Sequence, residues 1–92
     1  MCDLLCALPE ATGGTTLFAK NSDRPPEEAQ PFEWIPPRVD RGHVRATHVE
    51  VPASSHPTFG VFGSRPAWGW GLEQGVNAAG VAAGNATIYT TL

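Results

Sequence analysis

A cysteine occupies position 2, and a run of charged and hydrogen-bonding residues, Lys20-Asn21-Ser22-Asp23-Arg24, follows one short hairpin later. A thiol has an ordinary pKa of about 8.5 and a terminal α-amine one of about 7.7–8.0. A small second residue permits removal of Met1. Cys2 then carries both groups, a nucleophile and the weak base that takes its proton. A nearby cation favours the thiolate, which Lys20 or Arg24 can supply, and Asp23 can hold an ammonium group. On residue types alone a second reading stays open: a single cysteine is commonly structural, and Asn, Ser and Asp also terminate strands in turns.

The other cysteine, Cys6, does not pair with the first. In an extended segment the two lie about 13 Å apart, beyond the Cα separation of about 7 Å that a disulfide tolerates. Their C-x-x-x-C spacing is neither a redox nor a zinc motif. Cys6 therefore reads as a small buried hydrophobe. His43, His48 and His56 have no metal-ligand spacing, so no metal or other cofactor is expected. "GWGLEQG" and "GVNAAG" are not phosphate loops, and Asn85-Ala86-Thr87, though it matches a glycosylation sequon, is not expected to be used where no signal peptide is read. Trp68 and Trp70, two apart, share a face if they lie in a strand. Glu73 has the chemistry to bind a substrate amine, but its simplest reading is an exposed carboxylate, as Arg65 is a surface charge.

These residues need elements to hold them. "CDLLCAL" is apolar at both alternating sets of positions, which predicts a strand covered on both faces. Pro9 and Gly13-Gly14 signal a turn, and "TTLFAK" a second strand, so the two form an antiparallel hairpin. With Gly13-Gly14 as a two-residue loop, Leu4 faces Asp23 and Cys2 faces Pro25, to within about two residues. Either way "KNSDR" returns beside the start of the chain. Pro25 to Arg38 reads as extended, with a short strand at "FEWI". His43 to Val51 reads as one strand and "PASSHP" as a loop. "GVNAAG" (Gly75 to Gly80) is a hairpin turn, with "VAAGNATIY" the strand leaving it.

The chain has 92 residues, 41% hydrophobic and 16% charged, with 10 Gly and 9 Pro. This is the composition of one small globular unit cut into strands and turns. The net charge of −3 includes no basic block, so neither nucleic acid nor an anionic membrane is an expected partner. No apolar run spans a bilayer. The first residues lack a positively charged leader, which points to the cytoplasm. Strands with apolar faces need a second layer, and no helical stretch is available to supply it. Residues 1–92 are therefore expected to be the N-terminal part of a single larger domain. A catalytically inactive piece that self-associates through open strand edges is the alternative, and a redox-sensing thiol protein a weaker third.

Two long stretches, "MCDLLCALPEATGGTTLFAKNSDRPPEEAQ" and "GSRPAWGWGLEQGVNAAGVAAGNATI", resemble the start of the secernin/C69 dipeptidase family of N-terminal-nucleophile (Ntn) hydrolases. The shared features are the near-terminal Cys, Phe18-Ala19-Lys20-Asn21-Ser22-Asp23-Arg24, and the segment Ser64 to Val81. The resemblance implies an α+β fold, the N-terminal part of an αββα sandwich with mostly antiparallel strands. It implies cysteine-type hydrolysis of linear amide bonds, typically in dipeptides. Cys2 becomes the nucleophile and Asp23 the residue that orients it or its amine. Lys20 stands where distant bile-salt hydrolase and penicillin V acylase relatives carry Arg. Asn85 is the candidate oxyanion-hole amide, and Ala86 stands where many relatives have Glu. Asn21, Arg24, Trp68 and Glu73 are candidate substrate-binding residues. The implied partner is a small peptide, with a homo-oligomer the open alternative.

Overall fold

A computed structural model describes residues 2–46, 48–69 and 71–86. Strands β1 (Asp3–Ala7) and β2 (Leu17–Asn21) pair antiparallel as a hairpin. Its connection is not a two-residue loop. Pro9 opens a single helical turn, α1 (Pro9–Thr12), and Gly13 closes it with φ 79°. Proline's fixed φ suits the first helical position, and only glycine enters the left-handed region without strain. The amides of Gly13 and Gly14 both donate to Pro9 O at 3.0 Å.

That turn takes up chain, so the register differs from the expected one by three residues: Leu4 faces Lys20, not Asp23. Continuing the same register brings Cys2 opposite Ser22 rather than Pro25. The "KNSDR" run still returns to the start of the chain, as the hairpin requires.

A second, four-stranded antiparallel sheet has the order β3-β6-β7-β8, with β3 Phe32–Ile35, β6 Val61–Ser64, β7 Gln74–Asn77 and β8 Ala82–Gly84. The expected "FEWI" strand is β3. The expected turn in "GVNAAG" closes at Asn77–Gly80, where Asn77 Oδ1 accepts from the amides of Ala79 (3.0 Å) and Val81 (2.9 Å), an Asx-type turn. Of the strand expected to leave it, β8 is described as far as Gly84; residues 87–92 lie outside the described ones. The single strand expected over His43 to Val51 is instead a small hairpin of β4 (Val44–Arg45) and β5 (Glu50–Val51). The Ala46 amide donates to Val49 O at 2.9 Å and turns the chain back.

The hairpin meets the sheet where β2 lies against β8. Phe18 and Lys20, two apart, share one face of β2, and both are part-buried while their neighbours Leu17, Ala19 and Asn21 are exposed. The Phe18 ring rests on Gly84: a Cβ there would lie 2.8 Å from Phe18 Cζ. Glycine is what admits the ring so close to the backbone. An open apolar cleft of about 500 Å³ continues from this contact, lined by Cys6, Phe18, Phe32, Phe62 and Ala82 among others.

Among the described residues no aliphatic or aromatic side chain other than that of Pro66 is buried, and the buried polar ones are Ser64 (3% exposed) and Glu73 (4%). The surface is 7327 Å², against roughly 5,200 Å² for a compact chain of this mass. The radius of gyration is 15.3 Å, against about 12 Å. The expectation that β1 is covered on both faces fails, because its one paired neighbour is β2 and neither face is packed over. Leu4 and Leu5 are exposed, and so is Cys6, which is not a buried hydrophobe. No helix among the described residues is long and apolar enough to cross a membrane.

Candidate active site

The seat of Phe18 on Gly84 sets Lys20, one step further along the same face, against the start of β7. Its side chain has no exposure, and its Nζ lies 2.5 Å from Glu73 Oε1. The same ammonium donates to Asn85 Oδ1 at 3.0 Å and lies 3.5 Å from Glu73 O. Arg24, just past β2, reaches the same carboxylate, with Nη2 at 3.4 Å from Oε1 and 3.3 Å from Oε2. One buried carboxylate thus holds two cations that leave the hairpin at different points.

Glu73 also organises its surroundings through its backbone. Its amide donates to Ser64 O at 2.7 Å, and its carbonyl accepts from the Asn85 amide at 3.1 Å. The residue joins β6, β7 and the end of β8, which is why it is buried. The reading of Glu73 as an exposed carboxylate is corrected here: two cations satisfy it, as burial of a charge demands. Burial pushes its carboxyl pKa up, but hydrogen bonds and charge from Lys20 and then Arg24 outweigh that and hold it below the ordinary value.

The Lys20–Asn85 contact fixes an orientation. An ammonium has donors only, so the amide atom facing it must be the oxygen. The Asn85 Nδ2 hydrogens are thereby turned away from Lys20 and stand ready to donate, the property an oxyanion-hole amide needs.

A second layer of contacts holds Arg24. Its guanidinium lies over the Trp68 ring, 5.4 Å from the centroid. Glu28 ties both ends: it accepts from Trp68 Nε1 at 2.7 Å and from Gln30 Nε2 at 3.0 Å, and it lies 3.7 Å from Arg24 Nε. Desolvation pulls the Arg24 pKa down, but the hydrogen bond and charge of Glu73, then the charge of Glu28, with a smaller contribution from Cys2, outweigh it and the net direction is up. Trp68 is not in a strand. It lies in a turn closed by the Gly69 amide on Pro66 O at 2.9 Å, and Trp70 lies outside the described residues. Arg65 is more than a surface charge, since its Nη2 pairs with Glu33 Oε1 at 2.7 Å.

At the open end of the hairpin, Cys2 is a part-exposed free thiol. The Asp23 carboxyl is held below its ordinary pKa, first by a hydrogen bond from the chain's N-terminal ammonium and then by that group's charge. Asn21 ends β2, exposed and paired with Asp3, and its side chain makes no hydrogen bond to the Glu73 cluster among the described residues. Lys20, Arg24, Trp68, Glu73 and Asn85 are thus brought together, with Asp23 and Cys2 at the neighbouring terminus. Sequence reasoning missed Glu28 and the backbone role of Ser64. The signal for Glu28 was its place four residues after Arg24, across the Pro25-Pro26 bend. Among the described residues no group of three or more His, Cys, Asp or Glu is arranged to hold a metal ion. No protein-family model matches the chain, and no solved structure matches it.

Proposed function

We propose that this chain carries the nucleophile-bearing part of an Ntn amidohydrolase of the secernin/C69 type, acting on linear amide bonds in small peptides such as dipeptides. One observation supports the reading most. Lys20, Arg24, Glu73 and Asn85 come from the two stretches that carry the resemblance, and they meet in one hydrogen-bonded cluster beside the hairpin end that bears Cys2. In this reading the hairpin and the four-stranded sheet begin the two β-layers of an αββα sandwich. The exposed apolar faces are the ones its helices cover.

The chemistry follows from the groups present. With Met1 removed, the Cys2 α-amine takes the thiol proton and Sγ attacks the peptide carbonyl carbon. Asp23 holds the amine in place, and Asn85 Nδ2 donates to the developing oxyanion. The amine passes its proton to the leaving nitrogen, a thioester remains, and water activated by the same amine releases the acid. A dipeptide panel with intact-mass analysis tests this. Cys2→Ala is expected to abolish hydrolysis and Cys6→Ala to retain most of it. Equal losses, or full activity on a chain that keeps Met1, refute the reading.

A second reading, a non-catalytic chain that self-associates, is favoured by the exposure of Leu4, Leu5, Phe32, Trp34 and Phe62. Sedimentation velocity separates the two. A monomer with Cys2-dependent hydrolysis excludes self-association as the function, and an inactive oligomer supports it.

A further inference from the structure

The Glu73 carboxylate engages both cations that the sequence offers to the Cys2 thiol. We infer that Glu73 is a positioning residue that sets the reactivity of Cys2 by neutralising Lys20 and holding Arg24, rather than a group that binds a substrate amine. This deepens the reading of Cys2 as the nucleophile and rests on it.

The geometry leaves Glu73 little room for another ligand. Its side chain is 4% exposed, Lys20 Nζ occupies one oxygen at 2.5 Å, and Arg24 Nη2 lies within 3.4 Å of both. A substrate ammonium would have to displace Lys20, whose side chain has no exposure, from the one carboxylate it pairs with among the described residues. The same contacts balance charge. Lys20 and Arg24 contribute two positive charges, and Glu73 with Glu28 two negative ones. The hairpin register, continued one step past the Asp3–Asn21 pair, sets Cys2 opposite Ser22, two residues before Arg24, and Cys2 is among the groups that raise the Arg24 pKa. Neutralising Glu73 therefore leaves an uncompensated positive charge whose field reaches the thiol, and a cation favours the thiolate.

The test is the pH dependence of Cys2 alkylation by iodoacetamide in the whole chain, with Cys2 and Cys6 resolved by peptide mass mapping. Glu73→Gln is expected to move the Cys2 profile to lower pH and to raise its rate near neutrality by roughly threefold or more, the scale of a newly unbalanced neighbouring charge. Glu73→Asp, which keeps the charge, is expected to restore the profile most of the way. Cys6, at the far end of β1, serves as the internal reference and is expected not to move. Should Glu73→Gln fail to fold, Lys20→Gln supplies the reciprocal test and is expected to move the Cys2 profile to higher pH. An unchanged Cys2 profile in the folded variant overturns the inference, as does an equal shift of Cys6 or a Glu73→Asp profile like that of Glu73→Gln. Alkylation needs no turnover. A shifted profile in a chain that hydrolyses no dipeptide leaves this inference standing and rejects the proposed function alone.

Discussion

Two regions of this molecule use the same kinds of charged residue to opposite effect. At the junction of hairpin and sheet, Lys20 and Glu73 pair with side-chain exposures of 0% and 4%. On the β4–β5 hairpin, Arg45 and Glu50 lie 4.0 Å apart with exposures of 85% and 61%, and His43 sits 3.6 Å from the same carboxylate. The first pair is held where the Glu73 backbone bonds to Ser64 and Asn85, and it is almost closed to solvent. The second is solvated on all sides, and water and salt screen it. Burial, not the presence of opposite charges, decides whether an ion pair fixes geometry. In this chain the principle is sharpened by what surrounds the junction, since large apolar side chains are exposed while a carboxylate is buried.

The largest effect should come from breaking the buried pair on one side. Glu73→Ala leaves Lys20 and Arg24 without their shared carboxylate and is expected to lower stability by about 3 kcal/mol, read as a fall in urea midpoint. A change as small as that at Glu50 would erase the distinction between the two regions. Gly84→Val attacks the same junction without touching a charge. Its side chain meets the Phe18 ring, and the overpacking is expected to cost about 2 kcal/mol. It should also detach Lys20 from Glu73, seen as faster amide exchange across β2 and β8.

Acid sharpens the comparison. Because the folded-state pKa of Glu73 lies below its ordinary value of 4.5, its ion pair stabilises the fold above that value. The contribution is lost as pH falls from there through the depressed folded pKa. Denaturant titrations over that range should show a steeper acid-side loss in wild type than in Glu73→Gln. The smallest effect belongs to Glu50→Gln, expected to change stability by less than about 0.5 kcal/mol at neutral pH. A larger loss would show that the exposed hairpin depends on its charges after all.

Much of this was legible in the residues. Alternation and turn residues located β1, β2, β3 and the turn after β7, because each depends on neighbours in the chain. The residues that form the junction were also singled out, though not what they do to one another. Lys20 and Arg24 read as cations free to assist a thiol. Only the fold shows that Glu73, some fifty positions later, holds both. Pro9 and Gly13 were recognised as punctuation, but not as a helical turn that moves the hairpin register by three residues. Periodicity marked Leu4, Leu5 and Cys6 as apolar without saying what covers them.

By itself, then, the sequence determined that a hairpin returns "KNSDR" to Cys2 and that the chain builds antiparallel strands, since local preference and alternation act over a few residues. Tertiary structure alone decided that Phe18 seats on Gly84, that Lys20 is thereby buried, and that Glu73 faces two cations instead of solvent. Those outcomes depend on which strands meet and at what distance. The energy of a charge is set by the dielectric and the partners around it, and neither is written in its neighbours along the chain.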